Sequence, residues 1–218
     1  MIETIEKNNT LLQLFLILKS CSSEVMLVGG CVRDYLTNLY HKESHKIKDF
    51  DIVCNGNLDD IKEAFASNNW QVNEAGKNFL VMIVSKNEQQ FEIALYRKDG
   101  TYTDGRRPDS TSIGTIFDDA NRRDFTVNAL YYDIVNDKII DPTGLGLEDI
   151  KSKKLRFVGK AKDRINEDKL RIMRAYRFSI SKGFKMDDKT HSICRQYFEE
   201  MIKSTPAMRI MAEMDKML

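Results

Sequence analysis

Two aspartates one residue apart, Asp49 and Asp51, carry the sharpest chemical signal in the chain. If Asp49–Val53 is a strand, the side-chain period of two puts both carboxylates on one face and Phe50 on the other. Two carboxylates on one sheet face suit Mg²⁺, which takes oxygen ligands and commonly uses one or two carboxylates beside substrate phosphates. Upstream, Val25–Val28 reads as a short apolar strand, followed by Gly29-Gly30 and a segment, Val32–Leu39, able to form a helix. A Gly-Gly turn lets backbone N–H groups approach an anion, and a helix starting there points its positive end at the same place. Arg33 adds a fork of donors matched to phosphate oxygens. Taken singly, a Gly-Gly pair is an ordinary turn and an Asp-x-Asp an ordinary solvated strand end. The order strand, Gly-Gly, helix, acidic strand is far more specific.

Two later segments concentrate charge in the same way. Arg122-Arg123-Asp124-Phe125-Thr126-Val127-Asn128-Ala129 is either a surface ion-pair cluster or a set of phosphate and hydroxyl readers. In Glu167-Asp168-Lys169-Leu170-Arg171, followed by Arg174 and Arg177, a helix would put Asp168 and Arg171 three apart on one face. As a plain intrahelical ion pair they would contribute only a few tenths of a kcal/mol. From Lys151 to Lys185 there are thirteen Lys/Arg against three acids, in a chain whose net charge is +1. That segregation suits a polyanion surface, although a solvated basic helix looks similar.

The surrounding pattern supplies elements to hold these residues. Thr10–Lys19 has Leu11, Leu14, Phe15 and Leu18 at helical spacing, and Asn57 can cap a helix running to about Ser67. Phe79–Ser85 and Gln90–Tyr96 read as a hairpin about Lys86-Asn87-Glu88, and Arg97–Asp109 as a mobile loop. Asp118–Ala129 reads as helix, Leu130–Ile134 with Lys138–Ile140 as a second hairpin, and the chain beyond about residue 160 as helix. Apolar content of 42% is ample for a core. Leu11–Leu18 is too short to cross a bilayer and lacks the pattern of a signal peptide. Cys21, Cys31, Cys54 and Cys194 form no C-x-x-C pair, which argues against structural zinc and fits reduced thiols in a cytoplasmic setting, an organelle included. His41 and His45 lie in a polar stretch that reads as solvated loop.

In this order the motifs resemble those of the class II tRNA nucleotidyltransferases (CCA-adding enzymes) and bacterial poly(A) polymerases. Arg122–Ala129 is similar to their R-R-D-[FL]-T-x-N-A motif at every fixed position. Asp141-Pro142 with Gly144, Leu147, Asp149 and Leu155-Arg156 resembles the motif joining head to neck, and Glu167–Phe178 resembles E-D-x-x-R-x-x-R-x-x-R-F. The resemblance implies an α+β fold: a polymerase-β-like head with a five-stranded mixed sheet over residues 1–160, then an all-α neck over 161–218. It implies attack of an RNA 3′-hydroxyl on the α-phosphorus of CTP or ATP, with two Mg²⁺ ions held by Asp49 and Asp51. Glu92, set opposite the apolar face of its strand, reads equally as a third carboxylate or as a solvated strand residue. Gly29, Gly30, Arg33, Asp34, Arg123, Asp124, Asn128, Arg174 and Arg177 would contact the nucleotide, and Asp168 with Arg171 would read its base.

Thr37-Asn38 departs from the family's usual Leu-Gly, and the stretch Asn38–Lys48 is longer than usual. The sequence closes within what reads as a neck helix, Pro206–Leu218, where family members continue into body and tail domains; a fragment, a minimal form and half of a two-subunit enzyme are all compatible. CCA addition to the tRNA 3′ end is the leading expectation. A-only addition, poly(A) polymerisation and a non-catalytic RNA-binding subunit stay open beside it.

Overall fold

The computed structural model describes residues 1, 5–47 and 49–217. Its first helix, α1 (Asn9–Cys21), is capped by Asn8, whose side chain accepts from the Leu11 amide at 3.0 Å. Leu11, Leu14, Phe15 and Leu18 are buried, as their spacing requires. After α1 come β1 (Val25–Val28), α2 (Gly30–His41), β2 (Asp51–Cys54) and α3 (Leu58–Ser67). Next are β3 (Gln71–Asn73), β4 (Val81–Lys86), β5 (Gln89–Leu95), β6 (Arg97–Asp99), β7 (Thr111–Ile113) and α4 (Ile116–Asn121). A 3₁₀ turn at Thr126–Asn128 leads into β8 (Tyr131–Asp133), β9 (Lys138–Ile140) and α5 (Gly146–Lys151).

One mixed sheet has the strand order β3-β4-β5-β2-β1-β8-β9. It is seven strands wide rather than the five expected, because short edge strands, β3 and β9, pair onto β4 and β8. β2 and β5 run parallel, and the other neighbours antiparallel. β1 is buried along its whole length, so its run of four apolar residues is covered on both faces. Val25, Leu27, Ile52 and Cys54 join the large core with α1 and α3, while Met26, Val28 and Val53 meet Tyr96, Ala120 and Tyr131 on the other side. Asp51 shares its parity with Val53, so it belongs to this second face.

The helical half is α6 (Ala161–Glu167), α7 (Arg171–Lys182), α8 (Asp188–Ser204) and α9 (Ala207–Met214). A parallel pair, β10 (Lys154–Leu155) with β11 (Lys185–Met186), interrupts it. The last helix is shorter than expected and passes into a 3₁₀ turn at Asp215–Met217, and Leu218 lies outside the described residues. No helix among the described residues is long and apolar enough to cross a membrane.

Three sequence expectations change. The helix expected over Asp118–Ala129 stops at Asn121: Asp124 accepts from the Phe125 amide at 2.7 Å, and Phe125 is extended and bridges to Phe157. A short acid bonding its own backbone competes with helix in this way. The stretch Arg97–Asp109 is tied rather than loose. Residues 97–99 pair with β7, and Asp109 accepts from the Thr101 and Thr103 hydroxyls at 2.6 Å each. Nor is the His41–His45 stretch simply solvated, since His41 Nε2 bonds the Ile150 carbonyl at 2.9 Å and His45 pairs with Glu43.

Candidate active site

β1 ends at Val28, opposite Asp51, and Asp51 is in register with Glu92 on its other side. Asp49 therefore precedes the strand instead of lying in it: Gly29 turns the chain away and leaves no β1 partner beyond Asp51. Asp49 and Asp51 still open onto common space. They line a cleft of about 280 Å³ with Gln90 and Glu92, and an adjoining one of about 480 Å³ with Gly30, Arg33, Asp34, Lys46 and Lys182. Although Asp51 faces the cleft, neighbouring protein atoms displace much of its water. This desolvation raises its pKa, with Glu92 and then Asp49 adding to the rise, against Arg123 and Arg33. Carboxylates crowded to mutual repulsion are a donor set that a divalent cation would relieve, so Asp49 and Asp51 fit Mg²⁺. No group of three His, Cys, Asp or Glu suited to a metal occurs among the described residues, while Glu92 lies in register with Asp51 on the neighbouring strand.

Gly29 adopts φ 76° and ψ −129°, a conformation that side chains with a Cβ avoid. A Cβ there would lie 3.3 Å from Asp51 Oδ2 and 3.6 Å from Arg123 Nη1. The turn, the acid and the arginine thus converge on one spot, and α2 starts immediately after it at Gly30.

Behind Arg123 stands a residue that sequence reasoning passed over. Asp119, fully buried, accepts from Arg123 Nη2 at 2.9 Å, from the Tyr131 hydroxyl at 2.6 Å and from Arg122 Nη2 at 2.5 Å. Its position three residues before Arg122 and four before Arg123 was the available signal. Burial alone would raise its pKa, but the charges of Arg123 and Arg122 and the Tyr131 hydroxyl bring it down to about 2. Because the folded value lies below the ordinary carboxylate value near 4, its contribution of about 2 kcal/mol is complete above about pH 4 and is lost as pH falls through 2. Urea midpoints are therefore expected to drop between pH 5 and pH 2.5, and Asp119→Asn to flatten that acid limb.

A second buried chain links α7 to α2. Arg174 Nη2 lies 2.6 Å from Asp124 Oδ2, Asp124 Oδ1 accepts from Asn128 at 2.9 Å, and Asn128 Oδ1 accepts from Arg33 Nη1 at 2.7 Å. Arg33 also donates to Asp34 at 2.8 Å, and Asp34 receives Lys182 at 3.1 Å. Burial would raise the Asp124 pKa, yet Arg174 and Asn128 hold it well below the usual carboxylate range. The guanidiniums of Arg33, Arg177 and Arg174 surround the Phe178 ring at 4.9, 4.7 and 6.0 Å. Arg177 pairs with Glu213 on α9 at 2.7 Å, and Arg174 is engaged with Asp124, so both are committed within the protein.

Asp168 and Arg171 do not share a helix. Asp168 is the extended residue closing α6, where its carboxylate accepts from the Leu170 amide at 3.0 Å and from Arg209 at 2.8 Å. Such local bonding favours the helix end over the interior. Arg171 opens α7 and donates to Glu167 at 2.5 Å, to the Arg164 carbonyl at 3.0 Å and to the Arg122 carbonyl at 2.9 Å. The basic stretch is also corrected: of its thirteen cations, Lys153, Arg156, Arg164, Lys169, Arg171, Arg174, Arg177 and Lys182 are ion-paired. That leaves Lys151, Lys154, Lys160, Lys162 and Lys185, two of them facing each other across β10 and β11.

The chain is similar to proteins whose function is known. The CCA-adding enzyme of Streptococcus uberis is 35% identical over 201 residues, 92% of this chain and 47% of that protein. The CCA-adding enzyme of Lactococcus lactis subsp. cremoris is 38% identical over 196 residues, 89% of this chain and 46% of the relative. The chain thus spans about half the length of the curated relatives it matches. Among solved structures, the Bacillus stearothermophilus CCA-adding enzyme in complex with CTP aligns with a TM-score of 0.78 at 29% identity, covering 94% of this chain and 47% of the other. A tRNA nucleotidyltransferase complexed with a primer tRNA and an incoming ATP analog aligns at 0.70 and 26%, covering 88% and 52%. The family profile described as the poly A polymerase head domain matches residues 25–156. With that profile laid over the Gly29 turn, Asp51, Glu92 and Arg123, the chain belongs to the poly(A) polymerase head-domain family.

Proposed function

We propose that this chain carries the catalytic head, residues 1–160, and neck helices, 161–218, of a template-independent RNA nucleotidyltransferase that adds C and A to the tRNA 3′ end from CTP and ATP. The observation that carries the reading is that Asp49 and Asp51 open onto one cleft while Asp51 and Arg123 Nη1 both lie against the Gly29 turn. The names borne by its relatives and structural neighbours support the choice of substrates.

The amides of the Gly29-Gly30 turn and the start of α2 hold the triphosphate, and Arg123 offsets its charge. Asp124 and Asn128, whose bonding groups are turned on Arg174 and Arg33, frame Arg33 toward the phosphates. Asp49 and Asp51 would hold Mg²⁺, as two ions, which would supply a lower pKa for the attacking 3′-hydroxyl and offset charge on the departing pyrophosphate. Incubation with Mg²⁺, a tRNA lacking its 3′ CCA and each labelled nucleotide, singly and together, is expected to give two C additions followed by one A. Addition of A alone, long A tracts, or no incorporation at all would each overturn the CCA reading in a different direction.

RNA affinity is expected to depend on salt, but less steeply than thirteen cations would suggest. The five lysines of this stretch without an ion pair among the described residues should contribute no more than roughly −4.5 to the slope of log K against log salt. Lys154→Gln and Lys185→Gln should each flatten it by about 1. A filter-binding slope that neither substitution changes would show that these lysines do not meet the RNA.

A further inference from the structure

We propose that Asp119 and Tyr131 form a buried positioning pair that sets Arg123 against the phosphate-binding turn; this rests on the reading of Arg123 as a phosphate ligand. Tyr131 is fully buried on β8, directly opposite Val28, the residue before Gly29. Its hydroxyl donates to Asp119 Oδ2 at 2.6 Å and accepts from Arg123 Nε at 3.2 Å. The same carboxylate oxygen accepts from Arg123 Nε at 3.1 Å and Nη2 at 2.9 Å, and the guanidinium lies 5.5 Å from the Tyr131 ring centroid. Two of the three guanidinium nitrogens are therefore occupied from behind. Nη1 is the one left on the Gly29 side, beside Asp51.

The other oxygen of Asp119 is occupied by Arg122, through Nε at 3.0 Å and Nη2 at 2.5 Å, so the carboxylate cannot swing away without leaving a second, half-buried cation unpaired. An arginine without such support samples many rotamers and must give up that freedom when it grips phosphate. The Asp119–Tyr131 pair fixes its fork beforehand, which raises affinity without touching the ligand. Both residues are fully buried, so neither touches the ligand, and their route to it is through Arg123.

Titration calorimetry with magnesium pyrophosphate tests this, using Tyr131→Phe, Asp119→Asn, Arg123→Ala and the two doubles with Arg123→Ala. Tyr131→Phe keeps the ring and should fold normally; it is expected to weaken pyrophosphate binding about 3- to 10-fold. Asp119→Asn should weaken it about 10- to 100-fold. On the Arg123→Ala background each second change should alter affinity by less than about 2-fold, because its target is gone. If Arg123→Ala binds pyrophosphate like the parent, the phosphate-ligand reading falls and this proposal with it. If Arg123→Ala weakens binding while Tyr131→Phe and Asp119→Asn do not, or if the effects simply add, the positioning role alone is overturned.

Discussion

An Asp51→Ala chain is expected to fold at least as well as the parent and to incorporate almost no nucleotide. Both halves follow from its neighbours. Desolvation by the protein atoms around its carboxylate, then Glu92 and Asp49, raise the Asp51 pKa, so its ionised form is less comfortable in the folded chain than in the unfolded one. A raised carboxylate pKa means that, above its unfolded value, the charge subtracts from stability; removing it should leave the melting temperature at neutral pH unchanged or higher. Strain of this sort is tolerated where it prepares a binding site for positive charge. Incorporation should drop by at least about 10²- to 10³-fold, the scale on which one preorganised charge contributor acts. Asp49→Ala should lose incorporation likewise, because the two acids open onto the same cleft. Glu92→Gln separates its two readings: a large loss makes it a third carboxylate, and near-parent turnover makes it a neighbour that tunes Asp51. Parent-like turnover in Asp51→Ala at matched fold would sink the cation-site assignment.

Much of this site was legible because its parts are local. Gly29 must take a conformation open chiefly to glycine, and a strand of parity two carries Asp51 to the same face as Val53. Both facts reside in a few adjacent residues. Asp119 was not legible in the same way. An acid placed three and four residues before two arginines is ordinary on a solvated helix, and only the packing of β8 against α4 turns it into a buried carboxylate shared by Arg122, Arg123 and Tyr131. The basic stretch from Lys151 to Lys185 misled for a related reason. Its partners Glu43, Asp34, Asp124 and Glu213 lie far off in sequence, so counting charge within a window could not see the pairing. Edge strand β3, three residues long, is too short for periodicity to reveal, whereas β9, equally short, is marked by its hairpin turn at Asn136-Asp137.

Base choice is where the helical half is expected to have its largest effect. Cytosine and adenine each present an exocyclic amine beside a ring-nitrogen acceptor, whereas uracil and guanine present the reverse. A carboxylate with a guanidinium accepts the first pair and leaves the second with unpaired polar groups. Asp168, at the end of α6, and Arg171, at the start of α7, are the carboxylate and guanidinium expected to do this. Arg171 is held by Glu167 and by the carbonyls of Arg164 and Arg122, and none of these bonds uses its Nε. Asp168 is held by Arg209, so Arg209 must yield or share when a base arrives. Removing either reading side chain should lower use of CTP and ATP and relax rejection of UTP and GTP. Hydrogen bonds to charged groups contribute about 1.5–3 kcal/mol, so the C/A-over-U/G ratio should fall roughly 10- to 100-fold for each deletion. Arg209→Ala provides the contrast, since it frees Asp168 without removing a reader and should leave the ratio intact. A purely structural role, the closing of α6 against α9, predicts lower stability for Asp168→Ala with the ratio unmoved. Rates for all four nucleotides with Asp168→Ala, Arg171→Ala and Arg209→Ala, at temperatures where each is fully folded, decide between these outcomes; an unaltered ratio in the first two ends the idea that the protein itself reads the base.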